Sequence, residues 1–436
     1  MTADVGIVLF TRDLRVHDHP ALAAAVGAGQ VVPMFVLDPA VDSNGFATPN
    51  RSAYLAEALA DLRHSLRERG GDLVVRRGDP ADEVVAMARR VGAQRVYVGA
   101  DVSAFAAARL RRLRAALAAD EGAVETFPGV TVVPPGALTT SSGGRYQVFT
   151  PYSRAWASAT WRDVITAPRR IELPDGVDPG ELPAADRGDC SPGLTAGGEQ
   201  AARAALTHWL RSGVARYAEQ RDALAERGTS QLSAHLHFGC VSALEVARRA
   251  AAHEGGDEFV RQICWRDFHH DVTEHHPTIT HRDLRHRDRR WRHDDDVIAA
   301  WKAGLTGVPI VDAGMRQLLE EGWMHNRARM FTASFLTKTL GQDWRVGAEH
   351  FLRWLVDGDI ANNSANWQWV AGTGYDTRPN RVLNPIRQAE RFDPHGEYTT
   401  RYVPELSGLP PKLIRQPWLL PPHQRDTLQY PARIDD

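Results

Sequence analysis

"VGIVLFTRDLRVHDHPAL", residues 5 to 22, opens the chain with a short apolar run that passes into a charged loop and the start of a helix. The run is too short for a helix and rich in β-branched residues, which reads as a buried strand. Four further runs of the same kind follow: "VVPMFVLD" (31–38), "DLVVRRGD" (72–79), "RVYVGAD" (95–101) and "VTVV" (130–133). Helical stretches separate them, among them "RSAYLAEALADLRHSLRERG" (51–70) and "AAARLRRLRAALAAD" (106–120). Strands apolar throughout, alternating with helices, predict a doubly wound parallel sheet over residues 1–133.

The loop after the first strand lacks GxGxxG, and no Walker A sequence occurs anywhere. Dinucleotide binding at that turn and P-loop hydrolysis are therefore not expected. Residues 134–198, rich in Pro, Gly and Asp without a period, read as a connection between domains. From 199 to 436 the pattern is helical, as in "QAARAALTHWLRSGVARYAEQRDALAE" and "VDAGMRQLLEEGWMHNRARMFTASFLTKTL", and most of the Trp lies there. An all-α domain is expected.

Totals narrow the function classes. The 436 residues carry a formal charge of −2, so any nucleic-acid partner must meet a local basic surface. Three scattered cysteines supply neither a disulfide framework nor a thiolate cluster, and a reducing cytoplasm is the natural compartment. No leader and no membrane span are expected.

Several motifs carry chemistry. "GTSQLSAHLHFG" (228–239) is an ordinary helix start or, with its hydroxyls and backbone donors, a phosphate site. "VRQICWRDFHH" (260–270) spaces Gln262, Trp265, Arg266 and His269 by three and four; that is a core helix, or an aromatic–cation face for a planar, charged ligand. The His-rich run that follows lacks a carboxylate set for a metal, and none is expected. "HRDLRHRDRRWRH" (281–293) sets six Arg against two Asp around Trp291, a solvated run or a surface for a phosphate backbone. "DGDIANNSANWQW" (357–369) packs carboxylates, side-chain amides and two indoles together. With Asn326, Arg329 and Trp344 it forms a polar set amid Trp, which needs partners such as the ring N–H and C=O groups of a flavin.

The ordered series "FTRDLRVHDHPAL", "PPGALTTSSGGRYQVFTPYSRAW", "RYAEQRD", "TSQLS", "QICWRDFH", "GVPIVDAGMRQLLEEGWMHNRARM", "DGDIANNSANWQW" and "LNPIRQAERFD" resembles the DNA photolyase and cryptochrome family, nearest to its class I cyclobutane pyrimidine dimer photolyases, over nearly the whole chain. That resemblance implies FAD within the helical domain. Tyr217, Thr229, Ser230, Gln231, Leu232 and Ser233 would hold its phosphates and ribityl region. Arg329, Asp357, Gly358, Asp359 and Asn363 would surround the isoalloxazine, and Trp367, Trp344 and Trp291 would pass electrons toward the surface. It also implies light-driven splitting of cyclobutane dimers, the reaction of a carbon–carbon lyase. Arg221, Gln262, Trp265, Arg266, His269, Asn326, Met330 and Trp369 would face the lesion in UV-damaged DNA.

Where (6-4) enzymes of the family carry histidines, this chain has Asn326 and Met330, which favours the cyclobutane dimer. Gln262 departs from the usual Glu, and "TSQLS" from the usual "TSRLS". The N-terminal domain looks more like binders of an 8-hydroxy-5-deazaflavin antenna than of methenyltetrahydrofolate, with no antenna as a further alternative. A cryptochrome-like photoreceptor is the competing function; the short stretch after "RQPWLLPP" counts against it. A soluble monomer is expected.

Overall fold

The structure, a computed structural model, describes residues 4 to 435. Two compact units account for it: Met1–Asp189 with Thr195–Ala215 and Ser230–Pro277, and Cys190–Leu194 with Arg216–Thr229 and Thr278–Asp436.

The first unit is built on a parallel sheet of β1 (Val5–Phe10), β2 (Gln30–Leu37), β3 (Val74–Arg77), β4 (Arg95–Gly99) and β5 (Ala123–Phe127). Their order is β3-β2-β1-β4-β5, the doubly wound arrangement that the strand–helix alternation predicts. β1 and β2 are central and buried along almost their whole length, which is why both read as continuous apolar runs. Ile7, Leu9, Val32, Met34, Val74, Val96 and Leu113 meet in the core beneath. Gly6 is favoured where β1 pairs with β4, because a Cβ there would come within 2.8 Å of the Tyr97 ring. Flanking helices start on local caps: Asp79 accepts from Ala81 N at 2.8 Å, and Ser103 from Ala106 N at 3.1 Å.

The edge strand corrects the sequence reading. The fifth strand is "AVETF" at 123–127, not "VTVV" at 130–133. Val132 and Val133 are buried, but their N–H groups donate to Asp267 Oδ2 at 2.9 and 3.0 Å instead of to a ladder. A carboxylate supplied from another helix can satisfy an apolar run as well as a neighbouring strand can. Edge residues of β5 are mostly exposed and so give little apolar signal.

The loop after β1 is also denser than a charged surface loop. Asp13, Arg15, Asp18 and His19 are all buried. Arg15 donates to the carbonyls of Asp18 and Gly239, both at 2.9 Å. Burial pushes the Asp18 carboxyl up, but hydrogen bonds from Arg162 and Ser242 more than offset it and leave its pKa below the ordinary value.

The second unit is helical. Asp295–Ala303, Pro309–Glu321, Asn326–Ser334, Trp344–Trp354 and Ile360–Ala371 enclose a core of Trp301, Met315, Leu318, Phe331, Phe335, Trp344, Phe351 and Trp367. A π-helical turn, Phe335–Thr339, follows the Asn326–Ser334 helix, a local widening often found beside functional sites.

Candidate functional site

Three helices of the second unit and one loop converge on a cleft of about 540 Å³. Helix Asn326–Ser334 contributes Asn326, Arg329, Met330 and Ala333, whose spacing of three and four puts them on one face. Helix Ile360–Ala371 contributes Asn362, Asn363, Asn366, Trp367 and Val370 by the same periodicity. Phe351 and Leu355 close one wall, and Asp357 and Gly358 stand in the loop at the entry to the second helix.

Charge in the cleft is organised around one pair. Arg329 donates from Nη2 to Asp357 Oδ2 at 2.8 Å and from Nε to the Met324 carbonyl at 2.8 Å. Asp357 is buried, and its other oxygen, Oδ1, has no hydrogen-bond partner. Trp367 presents the complementary feature, a buried indole Nε1–H without an acceptor. A buried acceptor and a buried donor left over in one cleft call for a ligand carrying both kinds of group.

Neighbouring amides have defined tasks. Asp359 caps the Ile360–Ala371 helix, its Oδ1 accepting from Asn362 N and Asn362 Nδ2, each at 2.8 Å. Asn363 donates from Nδ2 to Ala348 O at 3.0 Å, which fixes the rotation of its amide. Asn326 Nδ2 lies 3.9 Å from Met330 Sδ.

Family comparisons agree with this geometry. Residues 6–171 match the family described as DNA photolyase, and residues 259–436 match the FAD binding domain of DNA photolyase. A relative from Streptomyces griseus, named deoxyribodipyrimidine photo-lyase, is 52% identical, the alignment covering 99% of this chain and 96% of the relative. The chain belongs to the DNA photolyase family. Among solved structures of family members, a bacterial class III photolyase from Agrobacterium tumefaciens is similar with a TM-score of 0.91 and 34% identity, over 100% of this chain and 95% of that one. An archaeal photolyase from Sulfolobus tokodaii, described with two FAD molecules, has a TM-score of 0.87 and 29% identity, over 99% and 96% of the two chains. The chain therefore carries the family's FAD-binding domain. The unpartnered Asp357 oxygen and Trp367 indole fit an isoalloxazine, which offers ring N–H and carbonyl groups.

Of the residues expected to serve function, the cleft gathers Asn326, Arg329, Met330, Asp357, Gly358, Asn363 and Trp367. It adds Ala333, Phe351, Leu355, Asn362, Asn366 and Val370, which the motif reading passed over. Helical spacing from Met330 and Asn363 reaches Ala333, Asn366 and Val370, but not Asn362, Phe351 or Leu355. Trp344, fully buried, and Trp291, half-buried, stand apart from the lining, as do Tyr217, Arg221 and Thr229. A parallel bridge between Arg292 and Gln342 brings the Trp291 segment alongside the one that leads into Trp344. Trp369 lies under the Arg381 guanidinium, 5.4 Å from its ring centroid.

Ser230, Gln231, Leu232, Ser233, Gln262, Trp265, Arg266 and His269 belong to the first unit. Gln231 adopts a left-handed φ of 52°, uncommon outside glycine. Trp265 stacks on Phe149 with centroids 3.6 Å apart. Arg266 is engaged within the first unit. It is buried, and its guanidinium donates to the carbonyls of Val130 at 2.5 Å and Leu236 at 3.3 Å, tying loops together.

The basic run is likewise engaged inside its own unit. Arg287 Nε donates to Gly372 O at 2.7 Å and Arg289 Nη1 to Ala371 O at 2.8 Å. Lys338 Nζ adds bonds to Ala371 O at 2.7 Å and Pro379 O at 2.6 Å. Three cations thus cap the C-terminus of the helix that carries Asn363 and Trp367, where the macrodipole favours positive charge. Sequence reading offered solvent or phosphate for this run. The carbonyls of a helix end were the third possibility, visible only once the chain had folded.

Proposed function

We propose that the protein repairs cyclobutane pyrimidine dimers in DNA by light-driven electron transfer, as a deoxyribodipyrimidine photo-lyase. The observation that carries this reading is the Arg329–Asp357 pair beside two unpartnered polar atoms in a cleft of the FAD-binding domain. Reduced FAD, when bound, supplies the excited electron that splits the dimer and accepts it back. Asp357 and Arg329 hold the ring system as a compensated pair, so that neither buried charge stands alone. Asn363, its amide fixed by the bond to Ala348 O, and Trp367 would line the site for the ring.

The chemistry of the cleft favours the cyclobutane dimer over the (6-4) lesion. Asn326 and Met330 have no proton to deliver. His325 beside them accepts from Arg327 N through Nδ1 at 3.1 Å, and burial pushes its pKa down to about 4, so it stays neutral. Trp291, Trp344 and Trp367 form the proposed path that keeps the cofactor reduced. Arg221, Trp369, Asn326 and Met330 are proposed to meet the damaged strand, and so are Gln262, Trp265 and His269. Arg266, tied to the carbonyls of Val130 and Leu236, is proposed to face the lesion with them. Tyr217, Thr229 and the Ser230–Ser233 segment are proposed to hold the FAD phosphates. The domain division 1–133, 134–198 and 199–436 belongs to the same reading.

An 8-hydroxy-5-deazaflavin antenna is the further proposal for the sheet. Asp38 stands at the carboxyl end of β2, the edge where such sheets take ligands. Its Oδ1 caps a short helix through Ala40 N at 2.9 Å, while Oδ2 is buried without a partner. Among the described residues no helix is long and apolar enough to cross a membrane; a cytoplasmic monomer is part of the same proposal.

The deciding experiment adds chemically reduced protein to a dimer-containing oligonucleotide under blue light. Restored thymines are expected. Tight binding without repair would point to a photoreceptor.

A further inference from the structure

Two further indoles share the core of the second unit with Trp367, and their surroundings differ. Trp301 is fully buried, and its ring centroid lies 6.1 Å from that of Trp367 in an edge-on contact. Its Nε1–H donates to the neutral backbone carbonyl of Thr332 at 3.1 Å. Trp344, also fully buried, donates instead from Nε1 to the carboxylate of Asp283 at 3.0 Å. The same carboxylate accepts from Arg345 at 2.8 Å, and Arg345 pairs with Asp343 at 3.0 Å. The Arg345 guanidinium lies 4.7 Å from the Trp344 ring, so its charge opposes oxidation of that indole. Of these groups the one bonded to the indole N–H itself is the Asp283 carboxylate.

We propose that Asp283 is a positioning residue that directs the oxidising equivalent from Trp367 to Trp344 and away from Trp301. This rests on the light-driven reading above. The oxidant is the photoexcited oxidised flavin. Trp367 gives it one electron and becomes an indole radical cation. Trp344 then gives one electron to Trp367, which is restored, and the positive charge on Trp344 sits against the Asp283 carboxylate. The indole proton stays on Nε1 throughout. Trp291 next gives one electron to Trp344, and an external thiol re-reduces Trp291. A unit charge beside a carboxylate at this separation is stabilised far more than one beside a neutral carbonyl. Trp301 therefore lies close enough to compete but is the poorer donor.

Gln368 supports the geometry. It is fully buried between Trp367 and Trp369, donates to the carbonyls of Ile279 at 2.8 Å and Arg282 at 2.9 Å, and accepts from Leu284 N at 2.8 Å. The electron-donor helix thus sets the backbone on both sides of Asp283.

The test is laser-flash spectroscopy of the oxidised holoprotein, with the indole N–H resonances of the same protein recorded in the dark. Asp283→Asn keeps an acceptor and removes the charge. It should lower the yield of lasting flavin reduction about tenfold and shorten the life of the separated charges. The Trp344 resonance should persist as that of a hydrogen-bonded indole. Asp283→Glu, with its carboxylate restored, should recover most of the yield. An Asp283→Asn protein with unchanged yield and lifetimes overturns the proposal. So does a Trp301→Phe protein that loses as much yield as Asp283→Asn. If the Asn variant fails to fold, the Glu variant decides: a folded protein with a collapsed yield also overturns it. Dimer repair by the unmodified, chemically reduced protein tests the underlying reading separately.

Discussion

Arg329 and Asp357 are joined by a 2.8 Å bond between Nη2 and Oδ2, and the second oxygen of the same carboxylate is buried without a partner. One face of Asp357 is thus committed to the protein and the other is left for a ligand. Asp357→Ala should release FAD and cost roughly 3 kcal/mol, the lower end of what breaking a buried pair costs, since Arg329 keeps some solvent contact. Absorbance of the purified variant measures flavin content, and thermal unfolding gives the stability loss. Full flavin content would remove this pair from the site.

Trp367→Phe should abolish light-driven reduction of the oxidised flavin, because phenylalanine is much harder to oxidise than indole. Repair by chemically reduced protein should survive. Bleaching of the oxidised flavin under blue light with a thiol present reads the first outcome, and a dimer assay the second. Wild-type photoreduction in this variant would mean that the electron enters by another residue.

Arg287 and Arg289 donate to carbonyls that end the Ile360–Ala371 helix. Replacing both by Ala should lower stability by about 2 kcal/mol and the melting temperature by a few degrees, with parallel loss of flavin. Arg290, exposed in the same run, should act differently. Arg290→Ala should leave stability unchanged and flatten the salt dependence of DNA binding by up to about 0.9. A destabilised Arg290→Ala protein would contradict this division of labour.

His325 caps the Asn326–Ser334 helix through Nδ1, which can accept only while the ring is neutral. Burial pushes its pKa from the usual 6.5 down to about 4. Between these values the unfolded chain takes up a proton that the folded protein refuses, so stability falls as pH drops from about 6.5 through about 4. His325→Asn keeps a capping side chain without the titration. Its melting temperature should therefore fall less than that of the wild type across that window, while the two remain close at neutral pH. Identical slopes would place the acid sensitivity in other buried histidines.

The sequence by itself determined a great deal here, because periodicity and capping are local properties. Apolar runs of β1, β2, β3 and β4 announced strands, and "DGDIANNSANWQW" showed carboxylates, amides and indoles gathered in one short stretch. The order of motifs marked the family. Which polar group meets which is a long-range matter, and tertiary structure alone decided it. "VTVV" is as apolar as a strand, yet Asp267, more than a hundred residues away, takes its N–H groups. Nothing in the local sequence of Arg266 shows that the carbonyls of Val130 and Leu236 take its guanidinium. Arg287 and Arg289 look like surface charge until the helix end they cap lies beside them. Trp301 and Trp344 are the same residue type, equally buried, and nothing in their local sequence separates them. Only folding put a carboxylate on one indole and a carbonyl on the other. Buried polar groups must each find a partner, and the fold determines which partners come within reach.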